Sequence, residues 1–238
     1  MARDAQEKLI VALDFERLAP AVQMASRLAG LAGMFKIGKQ LFTAEGPRAV
    51  ERLARLGTGI FLDLKFHDIP NTVAGAVRAA AELPGVRLVN VHALGGKEMM
   101  RAAALAVAGK KKRPKVIGVT LLTSMDEDAL SKVGILGPPL KRAVHLARMA
   151  KLAGLDGVVA SPREVAEIRR VCGGNFLTVV PGIRPAASTR DDQSRIATPE
   201  EAIRAGADYL VVGRPITAAK DPRAAAKKIL VEMSAALA

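Results

Sequence analysis

Eight times along the chain a short, mainly apolar run is followed by a stretch of helical periodicity, and this alternation constrains the fold more than any other feature. The runs fall at 9–13, 34–38, 60–63, 86–92, 115–120, 157–160, 176–180 and 208–212. A strand with no polar face is buried on both sides, which is the mark of a parallel sheet covered by helices. The helical stretches lie at 17–31, 47–56, 73–80, 95–108, 140–152, 162–171, 199–205 and 221–237. Gly30 and Gly33, then Gly57 and Gly59, stop the first two, while Pro47 and Pro222 stand where a first helical turn tolerates proline. Eight strand–helix units predict a (β/α)8 TIM barrel, an α/β fold, in one domain over residues 1–238. An open doubly wound sheet is the competitor, but the first strand is not followed by a Gly-x-Gly-x-x-Gly turn.

No apolar run approaches the ~20 residues that cross a bilayer. The charged start, with only Leu9 to Leu13 apolar before Asp14, does not resemble a signal peptide. Together with the single cysteine, Cys172, this points to a cytoplasmic protein without membrane association. The formal net charge of +13 suits an anionic partner, nucleic acid or a small polyanion. The densest basic run, Lys110-Lys111-Lys112-Arg113-Pro114-Lys115, has no aromatic neighbour on which a base could stack and reads as a solvated loop.

In such a barrel the active site lies at the carboxyl ends of the strands. The residues there are Asp14, Lys36, Asp63 with Lys65, His92, Thr120 and Thr123, Ser161, Gly182 with Arg184, and Gly213 with Arg214. Each alone has a plainer reading: Asp14 or Asp68 as a helix cap, Lys36 as a snorkelling strand-end lysine, His92 as a hydrogen-bonded core histidine. Taken together they describe a site. Alternation places Asp63 and Lys65 on one face of the third strand. Glycine and arginine at the eighth-strand exit, with the seventh-strand loop, suit a phosphate. A metal is poorly supported, because Lys65 lies between Asp63 and Asp68 and no histidine pair has ligand spacing.

The run Asp63-Leu64-Lys65-Phe66-His67-Asp68-Ile69-Pro70-Asn71-Thr72 resembles the signature of the orotidine 5'-monophosphate decarboxylase family, and the likeness extends over the whole chain. Supporting pieces include Phe35-Lys36-Ile37-Gly38, Asn90-Val91-His92-Ala93, Leu122-Thr123-Ser124, Pro181-Gly182-Ile183-Arg184 and Val212-Gly213-Arg214-Pro215. The resemblance implies a cofactor-free, metal-free carboxy-lyase that forms uridine 5'-monophosphate, the last step of de novo pyrimidine nucleotide synthesis. It implies that Lys65 protonates C6, that Asp63 sits beside the departing carboxylate, and that Lys36 and Asp14 bond the ribose hydroxyls. Thr123 would lie near the base, and Arg184, Gln193, Gly213 and Arg214 would hold the phosphate, with the loop 183–195 closing over it. Asp68 and Thr72 would reach the site of a neighbouring subunit, which implies a homodimer. The alternatives are a magnesium-dependent decarboxylase resembling that for 3-keto-L-gulonate 6-phosphate, in which an acidic residue replaces Lys36, and a basic nucleic-acid binder.

Overall fold

A computed structural model describes residues 2–185 and 197–237 of the chain. Its strands are β1 (Leu9–Ala12), β2 (Met34–Gly38), β3 (Gly59–Phe66), β4 (Val86–His92), β5 (Lys115–Val119), β6 (Gly157–Val159), β7 (Leu177–Val180) and β8 (Tyr209–Val212). Each pairs in parallel with the next and β8 returns to β1, so the sheet is a closed eight-stranded barrel. The expected (β/α)8 architecture is the one found. All eight strands fall within a few residues of the apolar runs, because a strand buried on both faces announces itself by composition alone.

Adjacent residues of one strand enter different cores. Ile10 and Ala12 of β1 join Met34, Phe61, Leu88, Ile117, Val179 and Val211 inside the barrel, while Leu9 and Val11 pack outward under the helices. Burying a side chain of this size contributes about 1.5–3 kcal/mol, so both layers stabilise the closed sheet. The inner face carries the site. Two residues beyond Met34, Phe61 and Leu88 on that face come Lys36, Asp63 and Asn90, so the interior changes from apolar to ionised and polar near the carboxyl ends.

Three helices were not expected: Ala2–Lys8, Lys39–Glu45 and Glu127–Lys132; a further short one, Arg214–Thr217, begins at the eighth-strand exit. All are seven residues or shorter, too short to display a periodic apolar face. Tertiary contacts and caps hold them instead: Ala5 is buried, and Asp126 Oδ1 accepts the Ala129 amide at 2.9 Å. A second difference is that β3 runs on to Phe66 instead of ending at Asp63. Its pairing with β4 slips there, from Leu62 opposite Val89 to Phe66 opposite Val91. Lys65 sits in that bulge with φ +50°, a left-handed conformation that simple alternation does not anticipate.

The basic run lies where a connecting loop was expected, at the amino-terminal end of β5. Arg113 grips Asp156 through two bonds of 2.6 and 2.8 Å, Lys115 meets the same carboxylate at 3.1 Å, and Lys110 pairs with Glu82. These cations tie the lower rim together.

Candidate active site

Three neighbouring strands bring four ionised side chains into one line. Lys36 Nζ donates to Asp14 Oδ1 at 2.8 Å and lies 3.4 Å from Asp63 Oδ2, and Lys65 Nζ donates to Asp63 Oδ1 at 2.6 Å. The signs alternate, so every member has an opposite charge beside it. At such separations one pair interacts by several kcal/mol even at an effective dielectric near 20, an upper bound on net stability because desolvation opposes it.

Lys36 and Asp63 are each only 8% exposed, and burial by itself works against both charges. The fields of Asp63 and Asp14 more than offset burial at Lys36 and hold its pKa above the ordinary lysine value. The Lys36 and Lys65 charges, with bonds from Lys65 and Asn90, likewise hold Asp63 below the usual carboxylate range. Asp63 is ionised at neutral pH. Space for the line depends on Gly38, since a Cβ there would stand 2.9 Å from both Asp14 Oδ1 and Lys36 Nζ.

These four side chains line a cavity of about 430 Å³ at the carboxyl end of the barrel, a volume within the range of small-molecule sites. Its apolar surfaces include Phe61, Val159 and Val211. Thr123 enters from the loop after β5, Gly182 and Arg184 from the exit of β7, and Gly213, Arg214 and Pro215 from the exit of β8. Arg184 is buried and Arg214 exposed at the rim. Four cations and two carboxylates therefore face the space, an excess of positive charge that suits a dianionic ligand.

The orotidine 5'-phosphate decarboxylase / HUMPS family model matches residues 7–229. The chain belongs to this family. It is 55% identical to the orotidine 5'-phosphate decarboxylase of Halorhodospira halophila over 96% of this chain and 97% of that one. Against the same enzyme of Syntrophotalea carbinolica the identity is 54%, over 100% of this chain and 99% of the relative. Among solved structures, orotidine 5'-phosphate decarboxylase from Lactobacillus acidophilus superposes with a TM-score of 0.82 at 40% identity, covering 94% of this chain and 98% of that one.

Within the family's barrel, Asp14, Lys36, Asp63, Lys65, Thr123, Arg184, Gly213 and Arg214 all line the one cavity. Asp68 and Thr72 do not. Both are exposed, and Asp68 Oδ1 accepts the neighbouring Ile69 amide at 2.6 Å, so within one chain Lys65 has Asp63 beside it and is not held between two carboxylates. Gln193 and most of the loop 183–195 lie outside the described residues.

Three strand-end residues belong to the scaffold. Thr120 Oγ1 donates to the Val159 carbonyl at 3.0 Å, and Ser161 precedes the short helix Pro162–Glu164, its amide bonded to Glu164 Oε2 at 2.8 Å. His92 stacks on His67 with ring centroids 5.4 Å apart. Asn90 is the residue whose role went unread. Its side chain is fully buried, donating to Asp63 Oδ1 at 2.7 Å and accepting the Lys65 amide at 2.7 Å. An asparagine between the buried apolar residues Val89 and Val91 was the available signal.

Among the described residues no group of three or more His, Cys, Asp or Glu side chains is placed to hold a metal ion. No described helix is long and apolar enough to cross a membrane.

Proposed function

We propose that this protein converts orotidine 5'-monophosphate to uridine 5'-monophosphate and carbon dioxide without a cofactor, within pyrimidine nucleotide synthesis. The observation that carries the reading is the alternating line Asp14–Lys36–Asp63–Lys65 in the cavity that Arg184 and Arg214 also face.

The chemistry follows from the side chains. Cleavage of the bond between C6 and the carboxylate carbon leaves both electrons on C6, in the ring plane, where no carbonyl conjugates with them. A fixed cation must meet that charge. Lys65 is such a cation, held by Asp63 before substrate arrives, so little reorganisation accompanies carbanion formation. A proton then moves from Lys65 Nζ to C6, completing the product, and the lysine regains a proton from solvent. Asp63 beside the substrate carboxylate adds ground-state repulsion as a secondary contribution. Asp14 and Lys36 bond the ribose hydroxyls, Thr123 borders the base, and Arg184, Arg214, Gly213 and Gln193 hold the phosphate. Arginine meets phosphate oxygens through paired bonds, and that remote binding energy is used at the reacting carbon.

The functional unit in this reading is a homodimer in which Asp68 and Thr72 complete the neighbour's site. Their exposure outside their own cavity supports it, as do the exposed apolar Ile69, Leu94 and Leu122 near the carboxyl ends of β3, β4 and β5. The lone buried thiol of Cys172 suits the cytoplasm. A metal-dependent sugar-phosphate decarboxylase is disfavoured, because the Lys36 ammonium already occupies the space between Asp14 and Asp63.

The direct test is to incubate metal-free protein with orotidylate and follow the loss of its ultraviolet band. Turnover insensitive to chelator is expected. No decay of the band under any condition would overturn the reading.

A further inference from the structure

The bulge in β3 has a structural cause on the neighbouring strand. Between Leu62 and Phe66 β3 holds three residues where β4, between Val89 and Val91, holds Asn90 alone. The ladder is interrupted over this stretch, and the Asn90 side chain supplies bonds in its place. Its Oδ1 accepts the Lys65 amide and its Nδ2 donates to Asp63 Oδ1, each at 2.7 Å. The orientation of the amide is fixed by its partners, since a backbone N–H can only donate and an ionised carboxylate can only accept.

Two consequences follow for the reacting groups. Lys65 is the one non-glycine residue with positive φ among those described, a conformation that costs on the order of 1 kcal/mol and persists only where surroundings impose it. Asn90 imposes it through the Lys65 amide. Asp63 Oδ1 is shared between Lys65 Nζ and Asn90 Nδ2, leaving Oδ2 toward Lys36, so Asn90 also sets the rotation of that carboxylate. No other side chain of this size both donates and accepts in one rigid plane at neutral pH: an ionised aspartate lacks the donor, leucine both groups.

We infer that Asn90 is a positioning residue for the chemical step, holding Asp63 and the backbone of Lys65 so that the ammonium points at the reacting carbon without itself touching substrate. The inference rests on the reading of Lys65 as proton donor. Asn90 does not line the cavity, so its loss should act on turnover and leave ground-state binding largely intact.

The test compares Asn90→Ala and Asn90→Asp with the parent enzyme. For Asn90→Ala, kcat is expected to fall about 100-fold or more while KM and the Kd of uridine 5'-monophosphate change less than about threefold, the pattern of a misplaced catalytic group. Asn90→Asp keeps the shape and decides the matter if the alanine variant fails to fold. Its introduced carboxyl cannot donate to Asp63 when ionised but can when protonated, so its kcat should rise as pH is lowered, relative to the parent. The groups around it are Asp63 and Lys65 on β3, Lys36 beyond them on β2, and His92 further along β4, all present in the parent as control, while β5 places apolar Ile117 opposite. A kcat within about threefold of the parent in Asn90→Ala, or a loss carried wholly by KM, overturns the inference, as does an Asn90→Asp profile parallel to the parent's. Parent enzyme inactive on orotidylate, or Lys65→Ala fully active, would instead remove the underlying reading.

Discussion

The ammonium of Lys65 lies 2.6 Å from Oδ1 of Asp63, two residues back along the same strand. On a regular strand such neighbours face the same way but stay apart; here the bulge and the left-handed Lys65 bring the two charges into contact. Asp63 is itself held by Lys36 and Asn90, so the cation that meets the developing carbanion stands on a fixed support. Preorganisation of this kind is where electrostatic catalysis gains most.

Lys65→Ala should reduce decarboxylation by about 1000-fold or more, because it removes both the cation and the proton source. Uridine 5'-monophosphate should still bind, measured by titration calorimetry. Full turnover in this variant would refute the role of Lys65.

Gly38→Ala places a methyl group 2.9 Å from Asp14 Oδ1 and Lys36 Nζ. Both atoms are the ends of side chains, so the protein should fold with its melting temperature little changed while the Asp14–Lys36 bridge opens. We expect kcat/KM for orotidylate to fall about tenfold or more, a loss of roughly 1.4 kcal/mol of transition-state stabilisation. Parent-like kcat/KM would show that the bridge is dispensable.

Arg214→Ala removes an exposed rim cation from the proposed phosphate site. Charge-assisted bonds to phosphate contribute about 1.5–3 kcal/mol each, so kcat/KM should drop by roughly 10- to 100-fold while chemical denaturation shifts little. Steady-state kinetics beside a urea melt separate the two effects, and unchanged kcat/KM would contradict the assignment.

Asp68 and Lys65 can be separated onto different chains. If Asp68 serves the partner's site, Lys65→Ala and Asp68→Asn variants, each inactive alone, should regain about a quarter of parental activity when unfolded together and refolded, since half the dimers are mixed and each holds one intact site. Sedimentation of the same samples reports the dimer. Absence of rescue in a confirmed mixed dimer would place Asp68 in its own chain's site.

His92 gives a pH signature. Burial, with the charges of His67, Lys65 and Lys39, lowers its pKa from 6.5 to about 4. The unfolded chain therefore binds a proton at this position at higher pH than the folded protein does. Stability from the neutral ring is present above pH 6.5 and declines as pH falls from 6.5 toward 4. Urea midpoints across that range should fall less in His92→Asn than in the parent. Parallel curves would mean that the ring is not held neutral by its surroundings.

Much of this molecule can be read without coordinates. Strands such as Leu9–Ala12 and Met34–Gly38 are visible because burial on both faces leaves them almost wholly apolar, Lys36 being the one charge in the second. Asp14, Lys36, Asp63, Lys65, Arg184 and Arg214 stand out as charges at the ends of those runs, and the ten-residue signature beginning at Asp63 adds the chemistry by resemblance. Lys39–Glu45 was not legible, since one buried leucine, Leu41, carries no period. Asn90 was quoted within a motif but its role was hidden, because an asparagine in a strand does not reveal which partners lie across the ladder.

The sequence by itself determined the eightfold strand–helix alternation, and with it the end of the barrel at which ionised residues would gather, because apolar periodicity is a local property. Only the tertiary structure decided that Lys65 bulges out of register, that Asn90 bridges it to Asp63, and that Gly38 leaves room for Asp14 to meet Lys36. Those relationships join residues 22 to 27 positions apart across neighbouring strands. Their geometry is set by strand register and barrel closure, which no short stretch of chain contains.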